Sequence, residues 1–76
     1  MKLTVEIDNS EHPEVAICFD LQGLDLLISK LEYLKMHVDH LHLMTPSWAG
    51  NELTEETNGG GNYKLLHSLR LVRLAQ

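Results

Sequence analysis

Residues 21–37 read Leu-Gln-Gly-Leu-Asp-Leu-Leu-Ile-Ser-Lys-Leu-Glu-Tyr-Leu-Lys-Met-His. Leu24, Leu27, Ile28, Leu31 and Leu34 recur at three and four residues, while Asp25, Ser29, Lys30, Glu32 and Lys35 fill the opposite side, so the segment predicts an amphipathic helix. Asp20 stands where a carboxylate can accept from the free N–H groups of the first turn, Asp25 favours the positive end of the helix dipole, and the end falls near His37. The leucine stripe reads as core, because one helix of this length holds too few heptads for a coiled coil. Full burial of its five apolar side chains would contribute about 1.5–3 kcal/mol each before entropy is subtracted. Leu27→Ala or Leu31→Ala is therefore expected to bring the chain close to unfolding.

On the N-terminal side the period is two. Leu3, Val5 and Ile7 alternate with Lys2, Thr4, Glu6 and Asp8, and Val15, Ile17 and Phe19 alternate with Ala16, Cys18 and Asp20. The turn formers of Asn9–Glu14, with Pro13, link the two as a hairpin. On the C-terminal side, Asp39–Thr45 alternates with Leu41 and Leu43 on one face and His40 and His42 on the other. Tyr63–Leu74 predicts one long strand with Leu65, His67, Leu69 and Leu71 opposite Leu66, Ser68, Arg70 and Val72. Its second face, with Leu66 and Val72, points to a partner or a dimer. The order ββαββ describes a two-layer α+β domain spanning residues 1–76, one helix on a four-stranded, mainly antiparallel sheet in the order 2-1-3-4 or 1-2-4-3.

Size and charge narrow the function. A chain of 76 residues folds as one domain and buries only roughly 60% of its unfolded surface, which leaves little room for a deep cleft and argues against an enzyme. The single cysteine, Cys18, excludes an intrachain disulfide and a paired-cysteine zinc site, and lies mid-strand where a thiol is usually a small buried hydrophobe. Met1–Asp8 lacks a signal-peptide pattern and no apolar run approaches 18 residues, so a cytoplasmic location is expected. Six basic against 11 acidic residues, a formal charge of −5, repel nucleic acid and anionic lipid. His40 and His42 leave one face of a strand and could both reach a metal ion, but no third ligand stands at a fixed spacing, so no metal or cofactor is expected. Ser10, Ser29, Ser47 and Ser68 have no nucleophile-elbow context, and Gly59–Gly61 follow a loop without the strand, lysine and helix of a phosphate cradle. These glycines read as a flexible apex over Asn58–Asn62.

The remaining feature is the connection Thr45–Asn62, of roughly 17 residues, long enough for a compact domain to read as functional or disordered. Its first half, Thr45–Leu53, carries the only tryptophan, Trp48, which can cap the sheet edge or serve as an exposed binding anchor. Asn51 and Glu52 can contact a partner or close a turn through their own side chains. Glu55 and Glu56 follow with no basic residue until Lys64, either a solvated acidic loop or a lure for a basic partner.

The stretch His40–Glu56, HLHLMTPSWAGNELTEE, and the closing YKLLHSLRLVRL of Tyr63–Leu74, following a leucine-rich helix, resemble the Imm32 family of small bacterial immunity proteins. The specific part is Trp-x-Gly-Asn-Glu-Leu, matched by Trp48, Gly50, Asn51, Glu52 and Leu53, with Ala49 where the family pattern leads one to expect glycine. The resemblance implies an α+β protein that binds a polymorphic toxin and blocks it without catalysis, with a basic nuclease as one fitting target. Trp48, Asn51, Glu52, Glu55 and Glu56 are the expected partner-binding residues. The alternatives are a small metal- or ligand-binding protein using His40 and His42, and a structural homodimer whose last strands pair edge to edge. The immunity reading is compatible with a monomer or a weak homodimer.

Overall fold

The computed structural model describes all 76 residues, and the chain is α+β, with one helix and five strands in two antiparallel sheets. Strands β1 (Leu3–Asp8) and β2 (Val15–Phe19) form the expected hairpin, followed by helix α1 (Leu21–Met36), β3 (His40–Met44), a 3₁₀ turn (Pro46–Trp48), β4 (Tyr63–Leu66) and β5 (Ser68–Val72). The Asp8 carboxylate closes the β1–β2 turn by accepting from the Ser10 hydroxyl (2.6 Å) and the amides of Ser10 (3.2 Å) and Glu14 (3.0 Å). Asp20 caps α1 as the sequence predicts, its Oδ1 accepting from the Gly23 amide at 2.9 Å. Asp25 lies just past the first turn, which holds no acidic residue. The helix stops where His37 turns extended, and Tyr33 fastens the exit by stacking on His37 and donating to Asp39 at 3.0 Å.

The expected four-stranded sheet is corrected to a three-stranded sheet, β2-β1-β4, and a two-stranded sheet, β3-β5. The long C-terminal strand breaks at His67. Val5 stands opposite Leu66, and Leu43 opposite Leu69, so Leu66 and Leu69 face the core with their partners although they are three residues apart. The alternation slips by one residue at His67, as at a bulge, and Leu66 turns inward with Leu69 and Leu71 instead of opposing them. Both expected strand orders are also corrected. Each would set two strands of equal direction side by side, whereas the observed path puts the C-terminal segment between β1 and β3 with every pairing antiparallel.

The core is small: Leu3, Val5, Leu43 and Leu53, flanked by Leu26, Leu27, Leu41, Leu66, Leu69 and Leu71, with Leu34 buried as well. Helix and sheet meet closely at Gly23, where a Cβ would stand 1.9 Å from the Lys2 carbonyl oxygen. That contact fixes which side of α1 faces inward. With about 100° per residue, Leu24, Ile28 and Leu31 lie roughly 80–140° around from Gly23, and Ile28 and Leu31 are exposed, Leu31 by 49%. The expectation for Leu31→Ala is corrected accordingly; Leu34 holds the buried position.

Strand β1 is buried on both faces. Where β4 diverges from it, Thr54 takes over the pairing: its amide donates to the Leu3 carbonyl (2.7 Å), and its hydroxyl accepts from the Leu3 amide (3.0 Å) and donates to the same carbonyl (3.1 Å). The long connection is thus part of the sheet edge.

Candidate functional site

The connection folds back on the end of β3. The Thr45 carbonyl accepts from the amides of Trp48 and Gly50, both at 2.9 Å, the Pro46 carbonyl from Ala49 (2.9 Å), and the Met44 carbonyl from Leu53 (3.1 Å). Gly50 passes so close to β3 that a Cβ there would lie 2.3 Å from the Met44 oxygen. Ala49 is left-handed, with φ 65° and ψ 20°, a conformation that costs an L-residue roughly 1–2 kcal/mol.

Two carboxylates brace the loop, Glu52 from inside and Glu55 at the surface. Glu52 Oε2 accepts from the amides of Asn51 (3.0 Å) and Met44 (3.2 Å). Burial pushes the Glu52 carboxyl up, but these amides, its own and the charge of Lys30 outweigh it and leave the group below the usual value. Glu55 Oε1 accepts from the Ser47 amide at 2.8 Å, and the Ser47 hydroxyl and amide, ahead of smaller contributions, lower its pKa. At the loop's root, Thr45 is fully buried, its hydroxyl sharing a 2.7 Å hydrogen bond with His67 Nδ1 and its amide donating to the His67 carbonyl at 3.0 Å. The His67 ring in turn stacks on Trp48, centroids 5.8 Å apart and planes 11° from parallel. Trp48 is 57% exposed, so one face rests on His67 while much of the indole meets solvent.

The expected site residues therefore separate by role. Trp48, Asn51, Glu55 and Glu56 lie at the surface within one loop; Glu52 is half-buried and spent on main-chain amides. Thr45 and His67 complete the support for Trp48 and were not legible as such, because the regular alternation predicted for Tyr63–Leu74 set His67 beside Leu69 and Leu71. His40 and His42 share a face as expected, their rings edge to face at 5.2 Å, with His40 Nδ1 3.9 Å from an Asp39 oxygen; no third donor converges on the pair.

Glu6, on the polar face of β1, is fully buried. It accepts from the Thr4 hydroxyl (2.6 Å) and the amides of Asn58 (3.0 Å to Oε2) and Gly59 (3.0 Å to Oε1). Burial raises its pKa, yet the Thr4 hydroxyl, these two amides and the Cys18 thiol together hold it below the usual carboxylate value. The glycine apex is consequently tethered. Asn58 and Gly59 sit on Glu6, the Asn62 carbonyl accepts from Asn9 at 2.8 Å, and only Gly60 and Gly61 stand clear of neighbours.

A second surface is apolar. The odd residues of β2, Val15, Ile17 and Phe19, are exposed, as are Leu21, Ile28 and Leu31 of α1. An open groove of about 290 Å³ runs between the Leu31–Lys35 end of the helix and Leu71–Arg73. No helix is long and apolar enough to cross a membrane. Among known proteins, no family profile, no curated protein and no solved structure matches the chain.

Proposed function

We propose that this chain is a non-catalytic protein-binding module that docks a basic protein through the Trp48 loop, and that the partner is a toxin which it occludes, as the resemblance to immunity proteins implies. The observation that carries the reading is Trp48 itself: a large aromatic ring held out to solvent and kept in one orientation by the stacked His67, whose own position is set by buried Thr45. Fixing such a ring before binding lowers the ordering cost of association, and exposed tryptophans are the residues most often found at interface hot spots. Glu55, whose carboxylate accepts from the Ser47 amide next to Trp48, and Glu56 in the same loop add negative charge, which accelerates encounter with a positive surface.

The test is calorimetric titration of the purified chain with the protein products of the genes that flank its own. Trp48→Ala should weaken binding by 2 kcal/mol or more, about thirtyfold, with the melting temperature nearly unchanged, on the scale of a hot-spot residue. Glu56→Lys, at a residue that engages the chain through its carbonyl, should slow association in a salt-dependent way. Unaltered affinity in Trp48→Ala would reject this loop as the binding face.

A further inference from the structure

Strand β2 ends the three-stranded sheet, and its outer edge is bare. The amide of Asp20 donates to Lys2, and the Glu14 carbonyl accepts from Asp8, so the even residues turn their backbone groups toward β1. By the alternation of an antiparallel ladder, the N–H and C=O groups of Val15, Ile17 and Phe19 point away from the protein. Natural edge strands are usually protected by lysine, proline, a bulge or a covering loop. The strand Val-Ala-Ile-Cys-Phe has none of these.

The side chains of the same three residues lie on the face shared with Leu3, Val5 and Ile7 and remain exposed. The whole chain exposes 5320 Å², whereas a monomeric protein of this mass exposes roughly 4,700 Å². Over its whole surface the excess is roughly 600 Å² per chain, the same order as the ~800 Å² that each partner buries in an interface of standard size.

We propose that two copies of this chain pair through β2, antiparallel and two-fold symmetric about Ile17, joining their three-stranded sheets into one of six. The sequence is self-complementary in that register. Ile17 meets Ile17 of the second copy and exchanges both backbone bonds with it, and Val15 meets Phe19, so every outward backbone group of the strand gains a partner and every exposed apolar side chain an apolar neighbour. Registers centred on Ala16 or Cys18 would set Phe19 against Pro13 or Val15 against Leu21, outside the strand. The chosen register also sets Glu14 opposite Asp20 at both ends, so the dimer tightens as salt screens the pair.

Sedimentation equilibrium and cross-linking test it together. The wild-type chain should sediment at twice its 8.6 kDa mass at tens of micromolar. Ile17→Lys should weaken the dimer by about a hundredfold, through lost cross-strand contacts and two facing ammonium groups, and stay folded by circular dichroism. Val15→Lys, nearer the strand end, gives the same readout should Ile17→Lys unfold. Ala16→Cys places a thiol opposite Cys18 of the second copy in a non-hydrogen-bonded pair, about 4.5 Å between Cα atoms, which is within disulfide reach. Mild oxidation should therefore cross-link Ala16→Cys dimers, and not an Asp25→Cys control on the helix. A wild-type chain that is monomeric at 0.5 mM (on the order of a thousandfold above a micromolar Kd), a dimer that survives both lysine variants, or equal cross-linking of the control would each overturn the proposal.

Discussion

Strands β1 and β2 are adjacent, similar in length and alike in pattern, each alternating three apolar residues with smaller or polar ones. Their fates differ. Val5 is 1% exposed and Val15 is 55% exposed, although both point to the same face of one sheet. In β1 even the polar side is enclosed, with Thr4 and Glu6 under the Asn58–Gly59 turn. Alternation therefore marks which residues share a face, and the neighbours a strand acquires decide whether that face is covered. β1 has β2, β4 and Thr54 along its edges; β2 has β1 alone.

The contrast is broken most forcefully at Glu6. Glu6→Ala leaves the Thr4 hydroxyl and two amides without their acceptor and should cost on the order of 3 kcal/mol, a large share of the stability of so small a domain. Urea unfolding with an unchanged slope checks it. Acid acts through the same carboxyl. Because the folded chain holds Glu6 below its ordinary value of 4.5, its contribution is present above pH 4.5 and is lost as pH falls through the lower folded value. Glu52, also lowered, acts in the same direction, so melting curves should fall below pH 4.5 and Glu6→Ala should flatten that fall.

The matched valines give the next effect. Val5→Ala should destabilise by about 2 kcal/mol through lost burial and a residual cavity, whereas Val15→Ala, measured at a dilution where the chain is monomeric, should cost under about 0.5 kcal/mol. Comparable losses would mean that β2 is covered in solution even in the monomer. The smallest effect is a gain in the loop: Ala49→Gly relieves the left-handed backbone and should stabilise by about 0.5–1 kcal/mol, less the entropy glycine brings to the unfolded chain. A loss at this position would show that the Ala49 methyl makes compensating contacts.

Much of the local structure was legible. The three- and four-residue spacing of Leu24–Leu34 located α1, Asp20 its cap, and period-two runs β1, β2 and β3, because each of these signals is a relation between residues within a turn or two along the chain. The candidate loop was legible as a place: one tryptophan, a tight glycine and three glutamates in an overlong connection. Its internal arrangement was not. That Glu52 is a support and Trp48 rests on a histidine 19 positions later follows from how β3 meets the C-terminal segment, which no local spacing encodes.

By itself the sequence determined the kind and order of the elements as far as β3, the acidic character of the long loop and which residues share each face of β1, β2 and β3. The tertiary structure alone decided that the C-terminal strand divides at His67, that β1 is central and β2 bare, that Ile28 and Leu31 of the helix's apolar stripe stay uncovered, and that Glu6 is a buried anchor. The physical reason is that periodicity is a short-range property, whereas burial is settled by residues such as Thr54 and Asn58, which lie some fifty positions from Leu3 and Glu6 and meet them only in the folded chain.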